Sequence, residues 1–243
     1  MIWRRVLSSA AVYYHPTILP PNAVANIQAA TQPALPSEVE IIVRARRLVF
    51  ENTVFCVYAD HVADKNGNEV RHYLSVVPKC LLDDAIAGVA VLPVHEGKVG
   101  LIRVFRHPLG RWSWEAIKGH AEPGEAARDV AARELFEEAG FSVAAETLVD
   151  LGAIAPEGGV IEGRSRLFVA LLTEKTGKAV TPELGHGEMV FYSQDEIDDL
   201  IKRGAIEDAS TLVLVYKWRI TRTSAVGKSS FHCVKRTWQT TNI

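Results

Sequence analysis

Short runs of apolar residues, many of them β-branched or aromatic, recur along this chain and predict β-strands. Three such runs come first, and the Asn66-Gly67 dipeptide between the second and the third is typical of a tight hairpin turn. The predicted strands are 40–50, 52–62, 69–77, 87–94, 98–105, 147–155, 164–172 and 188–193. The first three runs therefore predict an N-terminal antiparallel β segment ahead of a larger sheet.

Three segments predict helices instead. Residues 125–139 are nearly all strong helix formers, and Gly140 follows them as a C-terminal stop. The other two helices are predicted at 194–204 and 208–220. Asp208 or Ser210 is expected near the N-cap of the last one. Strands combined with three helices predict an α/β fold in which a mixed sheet lies between helices, a helix–sheet–helix sandwich.

Three carboxylates share one turn of the first predicted helix. Glu134, Glu137 and Glu138 stand at positions i, i+3 and i+4, while Val130 and Leu135 can face a core. Exposed like-charge pairs at this spacing cost only about 0.2–0.5 kcal/mol each, so a solvated acidic face is one interpretation. A divalent-metal site is the other, and the surrounding residues decide between them.

The carboxylates belong to a longer pattern that begins at Gly119. From Gly119 to Phe141 the chain reads GHAEPGEAARDVAARELFEEAGF, which has nine positions of fixed type at fixed spacing over 23 residues. This pattern resembles the Nudix box, so the chain is identified as similar to the Nudix hydrolases. The resemblance implies the Nudix fold and hydrolysis of a phosphoanhydride, in which a divalent metal ion assists attack by water.

Hard oxygen ligands suit Mg²⁺, with Mn²⁺ as a possible substitute, and such ions commonly bridge carboxylates to substrate phosphates. The resemblance implies that Glu134 and Glu138 are the principal metal ligands. It implies that Glu137 is shared between metal binding and proton transfer, so Glu137 and Glu138 count among the catalytic residues. It also implies a metal bond from a backbone carbonyl, that of Lys118 or Gly119.

Three further box residues are expected to act structurally, namely Gly119, Glu125 and Arg133. Arg133 is placed to pair with Glu137 at i+4 and with Glu125 two turns earlier. Such pairs would hold the carboxylates in position rather than take part in the chemistry.

The segment before the box, FRHPLGRWSWEAIKG, narrows the substrate class. It resembles the corresponding segment of ADP-ribose pyrophosphatases, with an arginine at Arg106 and a Trp-Glu pair that ends at Glu115. Pro156, fifteen residues past the box, stands where those enzymes carry a proline. The resemblance implies that Arg106, Glu115 and Pro156 contact ADP-ribose or a related nucleoside diphosphate sugar, which is cleaved to AMP and a sugar phosphate.

Two alternatives remain open at this point. Ala116-Ile117-Lys118 departs from the ADP-ribose pyrophosphatase pattern, and a lysine before the box glycine is typical of Nudix enzymes that act on dinucleoside polyphosphates or nucleoside triphosphates. The other alternative is a non-catalytic sensor that uses a Nudix domain to bind ADP-ribose. The complete set of box glutamates argues against the sensor.

A further acidic residue is expected from the segment LGHGEMV. Glu188 resembles the loop carboxylate that subfamily members bring to the metal-bound water, and Glu183 is its competitor. His186, between them, is able to assist, although an isolated loop histidine is more often solvated. Trp112 and Trp114 are interpreted as packing residues.

Composition agrees with a globular protein, since 48% of the 243 residues are hydrophobic. A net charge of −2 predicts no general affinity for nucleic acid or anionic membranes, and no apolar stretch is long enough for a membrane span. Cys56, Cys80 and Cys233 are odd in number and widely separated, which favours reduced thiols in a cytoplasmic protein.

These features divide the chain into four predicted parts. They are a flexible extension at 1–37, a β segment at 38–84, the Nudix hydrolase domain at 85–220 and a polar tail at 221–243. In ADP-ribose pyrophosphatases a comparable N-terminal β segment builds a dimer interface and lends residues to the partner's active site. The resemblance therefore implies a homodimer.

Overall fold

The computed structural model describes residues 41–173 and 183–229. The predicted extension, residues 1–37, and residues 230–243 of the predicted tail lie outside the described residues. The strands are β1 (Ile41–Glu51), β2 (Phe55–Asp64), β3 (Glu69–Pro78), β4 (Ile86–His95), β5 (Lys98–Arg106), β6 (Arg111–Glu115), β7 (Ile117–His120), β8 (Val149–Ile154), β9 (Arg164–Leu171) and β10 (His186–Tyr192). The α-helices are α1 (Ala127–Ala139), α2 (Gln194–Lys202) and α3 (Ala209–Ser229).

A three-stranded sheet is built from β1, β2 and β3 in that order, and β2 pairs antiparallel with β3. Asp60 in β2 is buried and ties the three strands together, because it accepts hydrogen bonds from Arg46 Nε of β1 at 3.0 Å and from Ser75 Oγ of β3 at 2.7 Å. Burial alone would raise the pKa of Asp60, but these hydrogen bonds hold that pKa below its usual value. The predicted N-terminal β segment is confirmed.

The larger sheet has seven strands in the order β10-β5-β4-β9-β8, with β6 beside β5 and β7 beside β4. β4 and β9 run parallel, whereas the other neighbours are antiparallel. The sheet is therefore mixed, as predicted.

Helices cover both faces of this sheet. Successive residues of a strand face opposite sides, and β4 shows this directly. Leu92 belongs to the buried cluster that contains Ile197 of α2 and Leu214 of α3, while Val91 belongs to the cluster that contains Leu135 of α1. The helix–sheet–helix sandwich is confirmed.

Several boundaries differ from the prediction. Helix α1 begins at Ala127 rather than at 125, because the Glu125 side chain accepts from the backbone N–H of Glu122 and from Arg133 instead of entering the helix. Strands β6 and β7 were not predicted, since each is very short. Helix α3 continues to Ser229 and so includes part of the predicted tail.

The two tryptophans interpreted as packing residues differ in their surroundings. Trp114 packs against the core cluster, as expected, and the centroids of its ring and the Tyr192 ring are 5.2 Å apart. Trp112 is exposed and lies against Phe105, with Arg103 over its ring.

Among the described residues, no helix has both the length and the apolar character needed to cross a bilayer.

Candidate active site

A cleft of about 420 Å³ gathers residues from distant parts of the chain. Such a volume is typical of small-molecule sites. Its walls include Gly88, Arg106, Lys118, Gly119, Glu138, Pro156, Glu183, His186 and Asp208. A neighbouring cleft of about 510 Å³ shares part of that wall and holds Arg133 and Glu134. Most of the residues predicted for the site therefore meet at one place.

Two of the box carboxylates are buried at these clefts, Glu138 in the first and Glu134 in the second. Glu134 and Glu138 stand one turn apart on α1, and their side chains are only 7% and 2% exposed. Gly119 in β7 makes room for the first of them, because a Cβ atom there would lie 1.8 Å from the carboxyl carbon of Glu134. The expectation that Gly119 acts structurally thus has a steric reason.

Arg133 holds the acidic side chains in place. Its guanidinium donates to Glu125 at 2.9 Å, to Glu134 at 2.8 Å and to Glu137 at 3.2 Å, and also to the backbone carbonyl of His120 at 3.1 Å. Both pairs expected for Arg133, with Glu125 and with Glu137, are present. Glu137 is the most exposed of the three helix carboxylates, at 37% of its side chain, and it does not line either cleft.

The buried carboxylates lack sufficient compensation from the protein. Burial raises the pKa of Glu134 to about 7 and that of Glu138 to about 8, and repulsion from Glu134 adds to the rise at Glu138. The Oε2 atom of Glu138 is buried without a hydrogen-bond partner among the described residues. A buried unpartnered carboxylate oxygen beside a second carboxylate fits a hard divalent cation, which would supply the missing positive charge.

An ion-pair network forms the wall on the other side of the cleft. Glu115 is 2% exposed and accepts from Arg106 Nε at 2.9 Å. Lys118 Nζ contacts the same carboxylate and also donates to Asp208 at 2.7 Å. The hydrogen bond with Glu115 raises the pKa of Arg106 above its usual value. Burial alone would raise the pKa of Asp208, but the Lys118 ammonium holds that pKa below its usual value.

Asp208 and Gly88 are among the residues of this cleft that sequence reasoning did not assign to the site. Asp208 was expected only as a helix cap, and it does cap α3 by accepting from the Thr211 backbone N–H at 2.8 Å. Asp208 is joined to the site by Lys118 of β7, whose ammonium donates to its carboxylate. Gly88 in β4 allows β7 to approach, since a Cβ atom there would lie 2.4 Å from the Gly119 carbonyl oxygen. A glycine inside a strand is a recognisable sign of such close approach.

The segment at the start of β10 delivers Glu183 and His186 to the cleft and leaves Glu188 outside it. Glu188 is exposed and is not among the cleft-lining residues. His186 Nδ1 lies 3.8 Å from Glu138 Oε1, and its Nε2 lies 3.5 Å from Glu183 Oε2. Burial lowers the pKa of His186 below its usual value. Of the two acidic residues weighed for this segment, Glu183 is the one that lines the cleft and lies beside Glu138 and His186.

Comparison with known proteins gives a consistent result. The model of the NUDIX domain family matches residues 84–214. The chain is 29% identical over 163 residues to the ADP-ribose pyrophosphatase of Bacillus subtilis (strain 168), which covers 65% of this chain and 80% of that relative.

A solved structure described as an ADP compounds hydrolase superposes with a TM-score of 0.61 at 16% identity, over 79% of this chain and 98% of the other. At that identity the likeness establishes the fold. The family match spans more than half of the 243 residues and contains the whole box. The chain therefore belongs to the NUDIX domain family.

Proposed function

We propose that this Nudix pyrophosphohydrolase cleaves the diphosphate linkage of ADP-ribose or a related nucleoside diphosphate sugar, giving AMP and a sugar phosphate. The observation that carries the proposal is the cleft itself. Glu138 of the box, Arg106 and Pro156 all line it, and Arg106 is hydrogen-bonded to Glu115, which supports the proposal. The name of the Bacillus subtilis relative points to the same substrate.

Glu134 and Glu138 would hold Mg²⁺, or Mn²⁺ in its place, with Glu137 and the backbone carbonyl of Lys118 as further ligands. The ion would neutralise charge on the diphosphate and lower the barrier to attack by water. Arg133 supports this arrangement because it fixes Glu134 and Glu137, while the Oε2 atom of Glu138 has no hydrogen-bond partner among the described residues.

Glu183 is the general base in this proposal. It lines the cleft and lies with Glu138 and His186 in one group whose candidate ligand atoms are all within 4.8 Å of one another. A carboxylate so close to the metal-site residue is within reach of a water molecule bound there. Glu188, the residue favoured from the sequence, does not line the cleft, whereas Glu183 does, so we assign the role to Glu183.

Arg106 is suited to binding one phosphate of the substrate, because its guanidinium keeps part of its surface open to the cleft while Glu115 fixes its plane. Its side chain is 38% exposed, whereas that of Glu115 is 2% exposed. Guanidinium groups bind phosphate oxygens in a bidentate manner, and an oriented guanidinium loses less entropy when it does so.

Lys118 does not favour a longer polyphosphate in this setting. Its ammonium already lies between Glu115 and Asp208, so its charge is balanced within the protein. An additional phosphate would have to compete with both carboxylates. The diphosphate substrate is therefore the better match to the charges of the cleft.

The test is Mg²⁺-dependent release of AMP from ADP-ribose by the full chain, measured beside ADP-glucose, a diadenosine polyphosphate and a nucleoside triphosphate, with chelator as control. We expect ADP-ribose or ADP-glucose to be cleaved with the highest kcat/KM. Preference for the polyphosphate or the triphosphate would overturn the substrate class. Tight binding of ADP-ribose without turnover of any compound would indicate a sensor.

We also propose that the chain forms a homodimer through its N-terminal sheet. β1 is an edge strand, and its large apolar side chains are exposed, among them Ile42, Val43, Leu48, Val49 and Phe50. An exposed apolar edge strand is a surface that proteins normally cover. A second copy of the same sheet is the occupant that fits, since it presents the same apolar residues.

A further inference from the structure

His186 is a nitrogen-bearing side chain that lies against the buried carboxylate of Glu138. The imidazole is half-buried, with 17% of its side chain exposed, and Nδ1 is 3.8 Å from Glu138 Oε1. The other oxygen of that carboxylate is buried and has no hydrogen-bond partner among the described residues. Nothing in the box pattern places a histidine at this position, because His186 lies 45 residues past the end of the box (186 − 141).

We propose that His186 is a nitrogen ligand of the metal ion held by Glu138, so that this site binds its metal through nitrogen as well as oxygen. The inference rests on the proposed function to the extent that the ion is the one the box carboxylates are proposed to hold. It adds a ligand that the box does not contain, and with it a preference among metals.

The backbone around His186 explains how the side chain reaches the cleft. Gly185 takes a φ of +83°, a left-handed conformation that favours glycine. Its carbonyl accepts from the Phe105 backbone N–H at 2.7 Å, which fixes the turn against β5. The pairing of β10 with β5 is then interrupted by a bulge between His186 and Met189. Bulges beside active sites commonly re-aim a side chain, and here the one that enters the cleft is His186.

The distances suit a shared ion. A divalent cation with ligands at about 2.1 Å keeps its ligand atoms about 3–4 Å apart. Nδ1 of His186 and Oε1 of Glu138 are separated by 3.8 Å, within that range. The opposite ring nitrogen, Nε2, faces Glu183 Oε2 at 3.5 Å. A carboxylate beside that nitrogen fixes the tautomer and orientation of the imidazole, as is usual for histidine ligands.

A nitrogen ligand changes which metal is preferred. Carboxylate and carbonyl oxygens suit Mg²⁺, whereas imidazole suits transition metals, and Mn²⁺ tolerates both kinds of ligand. We therefore expect the protein to bind Mn²⁺ more tightly than Mg²⁺. The loss of the imidazole should weaken Mn²⁺ binding by on the order of tenfold or more, and Mg²⁺ binding by less.

The experiment is pulsed electron paramagnetic resonance of Mn²⁺ added at one equivalent to the full chain, without substrate and without a purification tag. A nitrogen modulation of the Mn²⁺ signal is expected in the wild type and reports a directly bound imidazole. Its absence from the wild type would overturn the proposal, whatever the variants do.

The variants assign the nitrogen to one residue. His186→Phe keeps most of the volume, and His186→Asn is a smaller second choice should the first not fold; both are expected to lose the modulation. His95→Phe is the matched control, since the side chain of His95 is 15% exposed and does not line the cleft, and His120→Phe tests a second histidine that does line it. Both controls should keep the modulation. Persistence of the nitrogen signal in His186→Phe or its loss in His120→Phe would contradict the assignment.

This readout separates the inference from the proposed function. A nitrogen-coupled Mn²⁺ site in a protein that does not cleave ADP-ribose would leave His186 as a ligand and remove the substrate assignment. Cleavage of ADP-ribose by a protein whose bound Mn²⁺ shows no nitrogen modulation would keep the substrate assignment and remove His186 as a ligand.

Discussion

At the scale of single residues, the site consists of carboxylates that the fold buries against their electrostatic preference. The raised pKa values of Glu134 and Glu138, about 7 and about 8, reflect desolvation that the protein does not balance on its own. Such a cluster destabilises the metal-free protein, and binding of a cation offsets that cost and raises the free energy of unfolding. Stability and function are therefore opposed at Glu138.

Glu138→Gln tests this opposition. The substitution keeps the volume but removes the charge, so turnover of the preferred substrate should fall by roughly a hundredfold or more. In chelator at neutral pH, the variant should melt at a higher temperature than the wild type, because it no longer has to desolvate or protonate a buried carboxylate whose pKa is raised to about 8. A gain of roughly 1 kcal/mol corresponds to about 2–4 °C. The measurements are kcat and thermal unfolding with and without Mg²⁺; near wild-type turnover would contradict the metal assignment.

Glu183 and Glu188 can be distinguished by a matched pair of substitutions. Glu183→Gln should lower kcat by on the order of a hundredfold, because it removes the proposed general base. Glu188→Gln should stay within about twofold of the wild type, since its side chain lies on the exposed part of β10. Steady-state kinetics at saturating Mg²⁺ gives the comparison, and the opposite ranking would return the role to Glu188.

Gly119→Ala tests the steric reason for the box glycine. The added methyl would lie 1.8 Å from the Glu134 carboxyl carbon, so the carboxylate must move. We expect Mn²⁺ affinity, measured by titration calorimetry, to fall by on the order of tenfold. Gly158→Ala is the control, because its Cβ meets only the ordinary contact of 3.4 Å with Ala155. Equal affinities in the two variants would show that Glu134 tolerates displacement.

Which residues could be identified from the sequence depended on local spacing. Glu134, Glu138, Arg133 and Gly119 lie within one box, and their contacts follow from helix geometry and from the turn before it. Asp208 is 90 residues from Lys118, and only the packing of α3 on the sheet brings the two together. The sequence favours Glu188 over Glu183 through its resemblance to a loop carboxylate of the subfamily. The residue pattern does not show which of the two lines the cleft, and the bulge between His186 and Met189 leaves no clear mark in it.

At the scale of elements, α3 closes one end of the cleft and its N-terminus is anchored twice. Asp208 caps the helix through the Thr211 backbone N–H at 2.8 Å and receives Lys118 Nζ at 2.7 Å. The Thr211 hydroxyl in turn accepts from the backbone N–H of Ala116 at 2.9 Å, between β6 and β7. The long third helix could be predicted from its apolar run. This anchoring could not, because Lys118 lies in β7 and Ala116 lies between β6 and β7, two strands too short to recognise.

Asp208→Ala should remove both the helix cap and the contact with Lys118. A lost helix cap costs about 0.5–2 kcal/mol, and the loss of a half-buried partner for Lys118 adds to that cost. We expect the free energy of unfolding in urea to fall by about 2 kcal/mol. Asp199→Ala is the matched control, because Asp199 pairs with Lys202 on the surface at 3.4 Å with 74% of its side chain exposed. Such surface pairs contribute about 1 kcal/mol at most. A loss no greater than that of the control would mean that α3 is held by its core residues alone.

At the scale of the whole Nudix domain and its β segment, the N-terminal sheet is bonded to the loop that carries Pro156. The Val76 backbone N–H of β3 donates to the Val160 carbonyl at 2.8 Å, and the Glu162 backbone N–H donates to the Val76 carbonyl at 2.9 Å. The Tyr73 hydroxyl donates to the Gly159 carbonyl at 2.7 Å. A partner that binds the three-stranded sheet would therefore also affect the position of a loop that borders the cleft. Phe55 of β2 reaches the cleft directly.

The proposed dimer gives this connection a consequence for catalysis. Leu48 and Phe50 lie two apart on β1, so they share one face, and both are exposed. The double substitution Leu48→Asp with Phe50→Asp should convert the wild-type dimer to a monomer in multi-angle light scattering, because the charges would be desolvated at the interface. It should also lower kcat/KM, since the Pro156 loop loses a support. Tyr216→Asp, on an equally exposed position of α3, is the control and should leave the mass unchanged. A wild type that runs as a monomer at micromolar concentration would overturn the dimer, and a monomeric variant with full activity would show that the loop does not depend on it.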